Sequence, residues 1–351
     1  MQFWEFAARR TVSILLATSM FLVVAGPAAL AQDSLTIANY GGSYGESMSK
    51  AIWQPTAEQL SITIKEDSLN SIADVRAQVT ANAVQWDIGE LTIDECAQGA
   101  KEGLFEPLDY DVIAPVGYGE NALQPDYILI NTASYVVGWN SVAYPDAHPQ
   151  TWADFWDVEK FPGSRALRNS PAQNLEAALI ADGVPLDKLY PLDVDRAFAK
   201  LEEIRPHITV WWSSGAQGAQ LALDGEVDLI GIWSNRMQAA INDGAQAGYT
   251  YEGGILIPDC FFVPKGTPNR DLAMQALAVA VSPQIHANIV KYIPISPVTT
   301  AAFEGDLIDP AVAVTLPASV ENIDVQVWTD GDWWAENGPA VYERWSTFVQ
   351  Q

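Results

Sequence analysis

Residues 253–268 read GGILIPDCFFVPKGTP, and within them a single acid, Asp259, interrupts a run of apolar side chains. Ile255, Leu256, Ile257, Cys260, Phe261, Phe262 and Val263 have the make-up of a buried strand, and Pro264-Lys265-Gly266 closes it as a turn. An unpaired carboxylate in such a strand costs several kcal/mol. Asp259 therefore meets a cation, faces water or holds a proton, and the choice among these bears directly on function.

Upstream of this strand the chain alternates strands with helices. SLTIANY (34–40) is a strand ending at the glycine turn GGSYG (41–45), followed by the helical ESMSKAIWQPTAEQL (46–60). A second strand, SITIKED (61–67), precedes the helix SIADVRAQVTAN (71–82). WDIGELTIDECAQGAKEGLFEPLD (86–109) is a short strand, a turn and a helix. DYILINTASYVVGWNSVAY (126–144) reads as two back-to-back strands rich in Ile, Val and Tyr. From TWADFWDVEKFPGSRAL (151–167) the alternation restarts and runs through VDLIGIW (227–233), and the last 50 or so residues read as helical. This rhythm predicts an α/β protein with parallel strands. Two α/β sets joined by extended strands, with a return to the first set near residue 259, predict two lobes hinged through strands.

Composition narrows the partners. Lys and Arg number 18 against 44 Asp and Glu, a net charge of −26, which disfavours nucleic acid and anionic membrane and favours cations. Such acidity also simply keeps exported proteins soluble. Arg9-Arg10, the apolar run VSILLATSMFLVVAG (12–26) and Ala29-Leu30-Ala31 form a basic region, an apolar region and a small-residue cleavage site. Residues 1–31 are thus expected to be a removable export signal, by the Sec or the twin-arginine route. The run falls short of the roughly 20 apolar residues of a spanning helix. A mature chain of roughly 320 residues, large enough for two medium domains, is expected in the periplasm as a monomer.

Neither Cys96 and Cys260 nor His148, His207 and His286 shows metal-ligand spacing, so no metal and no cofactor is predicted. In an oxidising compartment the two cysteines either form one disulfide or remain buried thiols. G-x-G-x-x-G and P-loop motifs are missing; GGSYG (41–45) has the letters of G-x-S-x-G, but Gly41 and Gly42 read as a tight turn. An exported hydrolase is the competing functional class, but no activated nucleophile or acid pair supports it. What does stand out is aromatic residues at strand ends and in loops: Tyr40, Tyr44, Trp211, Trp212, Trp233, Trp333 and Trp334. Ligands of α/β proteins collect at the carboxyl ends of strands. There, aromatic faces and a carboxylate make a cage for amines; singly, each ring also suits a core.

On these segments the chain resembles the periplasmic solute-binding proteins of ABC importers, in the spermidine/putrescine branch. The markers are LTIANYGGSYG, WDIGELTIDECAQGAKEGLFEPLD, TWADFWDVEKFPGS, GEVDLIGIW and EGGILIPDCFFVPKGTPN. The resemblance implies a class II-type two-lobed fold, with one lobe formed by 33–137 plus 259–300 and the other by 138–258 plus 301–351. It implies no catalysis; instead a small cationic amine is captured and delivered to an inner-membrane permease. Its first-strand aromatics fall on Tyr40 and on Ser43 or Tyr44, and its polar residues after the third strand on Thr92 and Asp94. The ring that stacks on ligand methylenes falls on Trp233, the amine-binding carboxylate on Asp259, and a C-terminal polar residue on Trp334. Trp211 joins this set by its strand-end position.

Several positions depart from the branch. The two carboxylates for the far amine of spermidine fall on the neutral Ser170 and Gln173, a tryptophan is replaced by Ile257, and Asp94 replaces a tyrosine. Arg236 stands where a putrescine binder has an acid, and an arginine suits a ligand carboxylate. The expected ligand is therefore a small amine such as putrescine, with a quaternary ammonium compound or an amino acid-like zwitterion as the alternatives. If Asp94 and Asp259 face one ligand, Cys96 and Cys260 come close enough to bond.

Overall fold

The computed structural model describes residues 33–350, so the expected export signal lies outside the described residues. Ten strands form one mixed sheet: β1 Ser34–Asn39, β2 Thr63–Ser68, β3 Ile88–Thr92, β4 Tyr127–Asn140, β5 Arg165–Arg168, β6 Ile208–Trp212, β7 Leu229–Trp233, β8 Ala247–Phe262, β9 Ser296–Pro297 and β10 Val327–Trp328. Along the sheet the order is β2-β1-β3-β8-β4-β7-β5-β6. β1 runs parallel to β2 and β3, and β5 runs parallel to β6 and β7, so each flank is an α/β set with helical crossovers. The mixed α/β architecture expected from the sequence is what the chain adopts.

β4 and β8 join the two sets as a long antiparallel pair. The segment 126–144 thus forms one 14-residue strand rather than two. It contains no Gly-Asn or Pro-type turn between Tyr127 and Gly138, and instead of turning it slips register between Leu129 and Thr132. The opposing residue at the slip is Pro258, which has no N–H to give the ladder. On its far side β8 changes partner there too, pairing β3 from Asp259 onward and β10 at Ile255 and Leu256.

Apolar packing divides along the same line. One cluster draws on residues 135–257 and on Trp334, Val341, Trp345 and Phe348 of the C-terminal helix Gly331–Phe348. Two others, from residues 35–130 and 260–295, cover the opposite faces of the β1-β3 flank. Ala287, Ala302, Ile308 and Leu316 form a small fourth cluster. The tail is less helical than its sequence suggests, since only 3-10 turns and the four-residue helix Pro310–Ala313 precede β10. Among the described residues no helix is long and apolar enough to cross a membrane.

Candidate ligand-binding cavity

The register of the central strands brings the ends of both α/β sets to one place. Thr92, the last residue of β3, pairs with Asp259. Ala133 pairs with Ile257, and Tyr135 pairs with Trp233 at the end of β7. Over this strip opens a cavity of about 570 Å³, within the ~300–1,000 Å³ range of small-molecule clefts. Ala133 and Ile257 line it between two polar walls.

The first wall is acidic. Gly41 and Gly42 both adopt positive φ (64° and 57°), so the chain turns sharply after Tyr40, and Asn39 Oδ1 accepts from Gly41 N at 2.8 Å. Gly45 leaves room for that amide, because a Cβ there would meet Asn39 Oδ1 at 2.8 Å. The turn sets the Tyr40 and Tyr44 rings edge to face, 5.4 Å between centroids. Tyr40 donates to Asp259 Oδ1 at 3.1 Å, and Tyr44 lies 3.5 Å from Oδ2. The Ser43 side chain, the alternative to Tyr44, is outside the described residues. Thr92, Asp94, Glu95 and Gln98 complete this wall from the end of β3 and the helix Ile93–Lys101. A disulfide between Cys96 and Cys260, Cα atoms 6.7 Å apart, fastens that helix to β8 beside Asp259.

Burial drives the chemistry of this wall. It raises the Asp259 carboxyl to about 7, with the Tyr40 and Tyr44 hydroxyls pulling the other way and the charges of Asp94 and Glu95 adding to the rise. Glu95 is also raised, chiefly by burial. Among the described residues no Lys, Arg or His nitrogen forms an ion pair with Asp259.

The second wall is basic. Arg168 ends β5, its guanidinium 4.9 Å from the centroid of Trp233 and its Nη1 donating to Gln173 Oε1 at 2.7 Å. Gln173 takes φ +69° to begin the helix Asn174–Ala181, a conformation that costs a non-glycine residue ~1–3 kcal/mol. Trp233 stands edge-on to Trp212, 5.3 Å between centroids, which braces its ring beside the cavity. Arg236 follows in the first turn of the helix Ser234–Asn242, and its buried Nε has no hydrogen-bond partner. Asn235 Oδ1 is likewise buried and unpartnered. Neither arginine forms an ion pair among the described residues. Tyr342 reaches the same wall from the C-terminal helix.

Eight of the residues singled out in the sequence thus line one cavity: Tyr40, Tyr44, Thr92, Asp94, Gln173, Trp233, Arg236 and Asp259. Three do not. Trp334 is buried behind the second wall, where its Nε1 donates to Glu176 at 2.8 Å. Trp211 packs edge-on against Trp345 and Phe348, because β6 is the sheet edge and that helix covers it. Ser170 is buried off the wall, its carbonyl accepting from Asn174 Nδ2 at 2.8 Å. Sequence reasoning missed Arg168, Asn235, Glu95, Gln98 and Tyr342. Among the described residues no group of three or more His, Cys, Asp or Glu is placed to hold a metal ion.

The bacterial extracellular solute-binding protein family matches residues 54–316. The chain belongs to this family. It is the substrate-binding component of an ABC transporter and not an enzyme, as are its relatives. It is 33% identical over 345 residues to the gamma-aminobutyric acid-binding protein of Pseudomonas aeruginosa, covering 94% of this chain and 95% of that one. A solved ABC transporter substrate-binding protein from Bradyrhizobium japonicum superposes with a TM-score of 0.87 at 42% identity, covering 91% of this chain and 100% of that one. The spermidine/putrescine-binding periplasmic protein of Escherichia coli is 26% identical over 247 residues, 69% of this chain and 67% of that one. The solute-binding family named by the resemblance is therefore right, while the polyamine branch matches over less of the chain and at lower identity than the gamma-aminobutyrate binder.

Proposed function

We propose that this solute-binding protein captures a small amino acid whose ammonium and carboxylate lie at opposite ends, a 4-aminobutyrate-like zwitterion, for delivery to its permease. The observation that carries this reading is the pair of guanidiniums without carboxylate partners, Arg168 and Arg236, on the wall opposite Asp259. A ligand carboxylate satisfies those donors, and the ligand ammonium meets Asp259 between the Tyr40 and Tyr44 hydroxyls. Trp233 then covers the methylenes between the two charges. A diamine such as putrescine satisfies the acid wall equally well but sets its second ammonium against two arginines. Like charges held at short range in a poorly solvated site cost several kcal/mol.

The two packing units on either side of the β4–β8 pair act in this reading as lobes, 33–137 with 259–300 and 138–258 with 301–351. Closing about those strands shrinks a cavity that a short amino acid does not fill. A thermal-shift panel of 4-aminobutyrate, putrescine, betaine and larger amine–carboxylate conjugates tests the ligand class, since a ligand at 100 times its Kd adds about 2.7 kcal/mol. Stabilisation by 4-aminobutyrate and not by putrescine is expected. The reverse pattern overturns the zwitterion reading, and a response only to the larger conjugates moves the ligand upward in size.

A further inference from the structure

Behind the acid wall, outside the cavity lining, lies a further carboxyl. Glu90, in the middle of β3, is fully buried. Its Oε1 is hydrogen-bonded to the Tyr44 hydroxyl and lies 3.5 Å from Asn131 Nδ2, while its Oε2 is buried with no partner at all. Among the described residues no cation pairs with it. The Tyr44 oxygen is shared: it contacts Glu90, Asp259 Oδ2 at 3.5 Å and Asn131 Nδ2 at 3.1 Å.

Counting protons decides how this group is arranged. Tyr44 has one hydroxyl proton and two carboxyls competing for it. An ionised Glu90 takes that proton, leaves a charged Oε2 buried and bare, and puts a second negative charge one hydroxyl away from Asp259. A neutral Glu90 protonated at Oε1 donates to Tyr44, leaves only a carbonyl oxygen unpartnered, and frees Tyr44 to donate to Asp259. Every proton then points the same way, from Glu90 through Tyr44 to Asp259, with Tyr40 donating to the other carboxylate oxygen.

We propose that Glu90 is a positioning residue that holds a proton for the site, turning Tyr44 toward Asp259 and keeping the amine pocket at one negative charge from this pair. This rests on the reading of the acid wall as the ammonium site. The titratable groups around the pair are Tyr40 and Tyr44 from the first turn, Asp94 and Glu95 from the helix Ile93–Lys101 and Asp259 from β8, with Arg168 and Arg236 across the cavity. Burial first, and the Asp259 charge second, hold the Glu90 carboxyl well above the ordinary range, in keeping with the geometry.

The primary test needs no ligand. Infrared spectra of the whole ligand-free protein, followed upward from about pH 5, should show a protonated-carboxyl band that outlasts the titration of ordinary carboxyls and that is missing in Glu90→Gln. A spectrum with no such band overturns the proposal whatever the protein binds. With 4-aminobutyrate as probe, Glu90→Leu should weaken binding about tenfold or more, and Glu90→Gln, whose amide still donates to Tyr44, should recover all but about threefold. Loss in Glu90→Gln as deep as in Asp259→Asn makes Glu90 a second binding charge and overturns the proposal. A band present alongside no 4-aminobutyrate binding leaves the proton at Glu90 standing and removes only the ligand assignment.

Discussion

The two walls of the cavity solve the same problem, a charge placed where water is scarce, in opposite ways. On the acid wall two carboxyls are met from within: Tyr40 and Tyr44 hydroxyls reach Asp259, the Ile72 N–H donates to Glu95 at 3.0 Å, and a disulfide ties the helix to the strand. On the basic wall the Arg168 guanidinium lies over the Trp233 ring and donates to the neutral amide of Gln173, and the Nε of Arg236 is left bare. Protonation can quiet a buried carboxyl, whereas an arginine has no such escape at any relevant pH. The acid wall can therefore wait empty, while in the proposed reading the basic wall awaits the ligand carboxylate.

Asp259→Asn should break the acid wall most severely. The shape is kept and the charge lost, so affinity for 4-aminobutyrate measured calorimetrically should fall by about 2–5 kcal/mol. Asp94→Asn should cost less, since its wall retains Asp259. Unchanged affinity in Asp259→Asn removes the ammonium from this strand.

Cys96→Ala with Cys260→Ala opens a crosslink spanning 164 residues of sequence, and the unfolding free energy should drop by about 2–5 kcal/mol. The acid wall should loosen more than the basic one, so affinity should fall along with stability. A stability loss with affinity intact would show that helix and strand hold the wall without the bond.

The same wall carries a pH signature. Asp259 has a folded midpoint of about 7 against an ordinary 3.8, so between these values the folded chain holds the proton that the unfolded chain has released. Its contribution to ligand-free stability is full below about 3.8 and is lost as pH rises through about 7, a span of up to a few kcal/mol. The gap in melting temperature between Asp259→Asn and wild type should widen in favour of the variant from about pH 5 to about pH 8. Ligand affinity should run the other way, because the ammonium needs the ionised acid. A constant gap would mean that Asp259 ionises normally.

The smallest change probes the basic wall. A Cβ added at Gly215 would meet Arg236 Nε at 2.8 Å and Trp233 Cζ3 at 3.0 Å, so Gly215→Ala should push both side chains and weaken 4-aminobutyrate binding by about 1 kcal/mol. Stability should fall by a similar amount, since the rigid Trp233 ring is braced by Trp212 and the Arg236 Nε is buried. No change in affinity would place Arg236 outside the contact set.

What the sequence revealed of this site follows from how each residue is marked. Asp259 was conspicuous as an acid in an apolar strand, and Tyr40, Trp233 and Arg236 sit where strands end. Glu90 carried the same mark as Asp259, a lone acid within IGELT, and the same criterion applied there would have found it. Arg168 closes a four-residue strand whose first residue is also an arginine, and nothing in RALR tells the two charges apart. Arg165 is in fact buried, its guanidinium donating to backbone carbonyls including Phe155 O at 2.9 Å. Tyr342 lies in an amphipathic helix far along the chain, and only tertiary packing brings it to the cavity. Trp211 and Trp334 show the converse, since being aromatic near a strand end or loop does not say which face is covered. The alternation of elements was legible because α/β units are local, whereas the fusion of 126–144 into one strand depended on β8 lying beside it.

One comparison of two ligands tests the opposition of the walls most directly. 4-Aminobutyrate and putrescine share a four-carbon amine and differ in the charge at the far end. Titration calorimetry of wild-type protein with each should show 4-aminobutyrate binding about 100-fold tighter or more, a difference of about 2.7 kcal/mol. Arg236→Ala should narrow that ratio from both sides, weakening the amino acid and sparing or improving the diamine. Putrescine binding as tightly as 4-aminobutyrate, with Arg236→Ala leaving the ratio untouched, would contradict a carboxylate at the arginine wall.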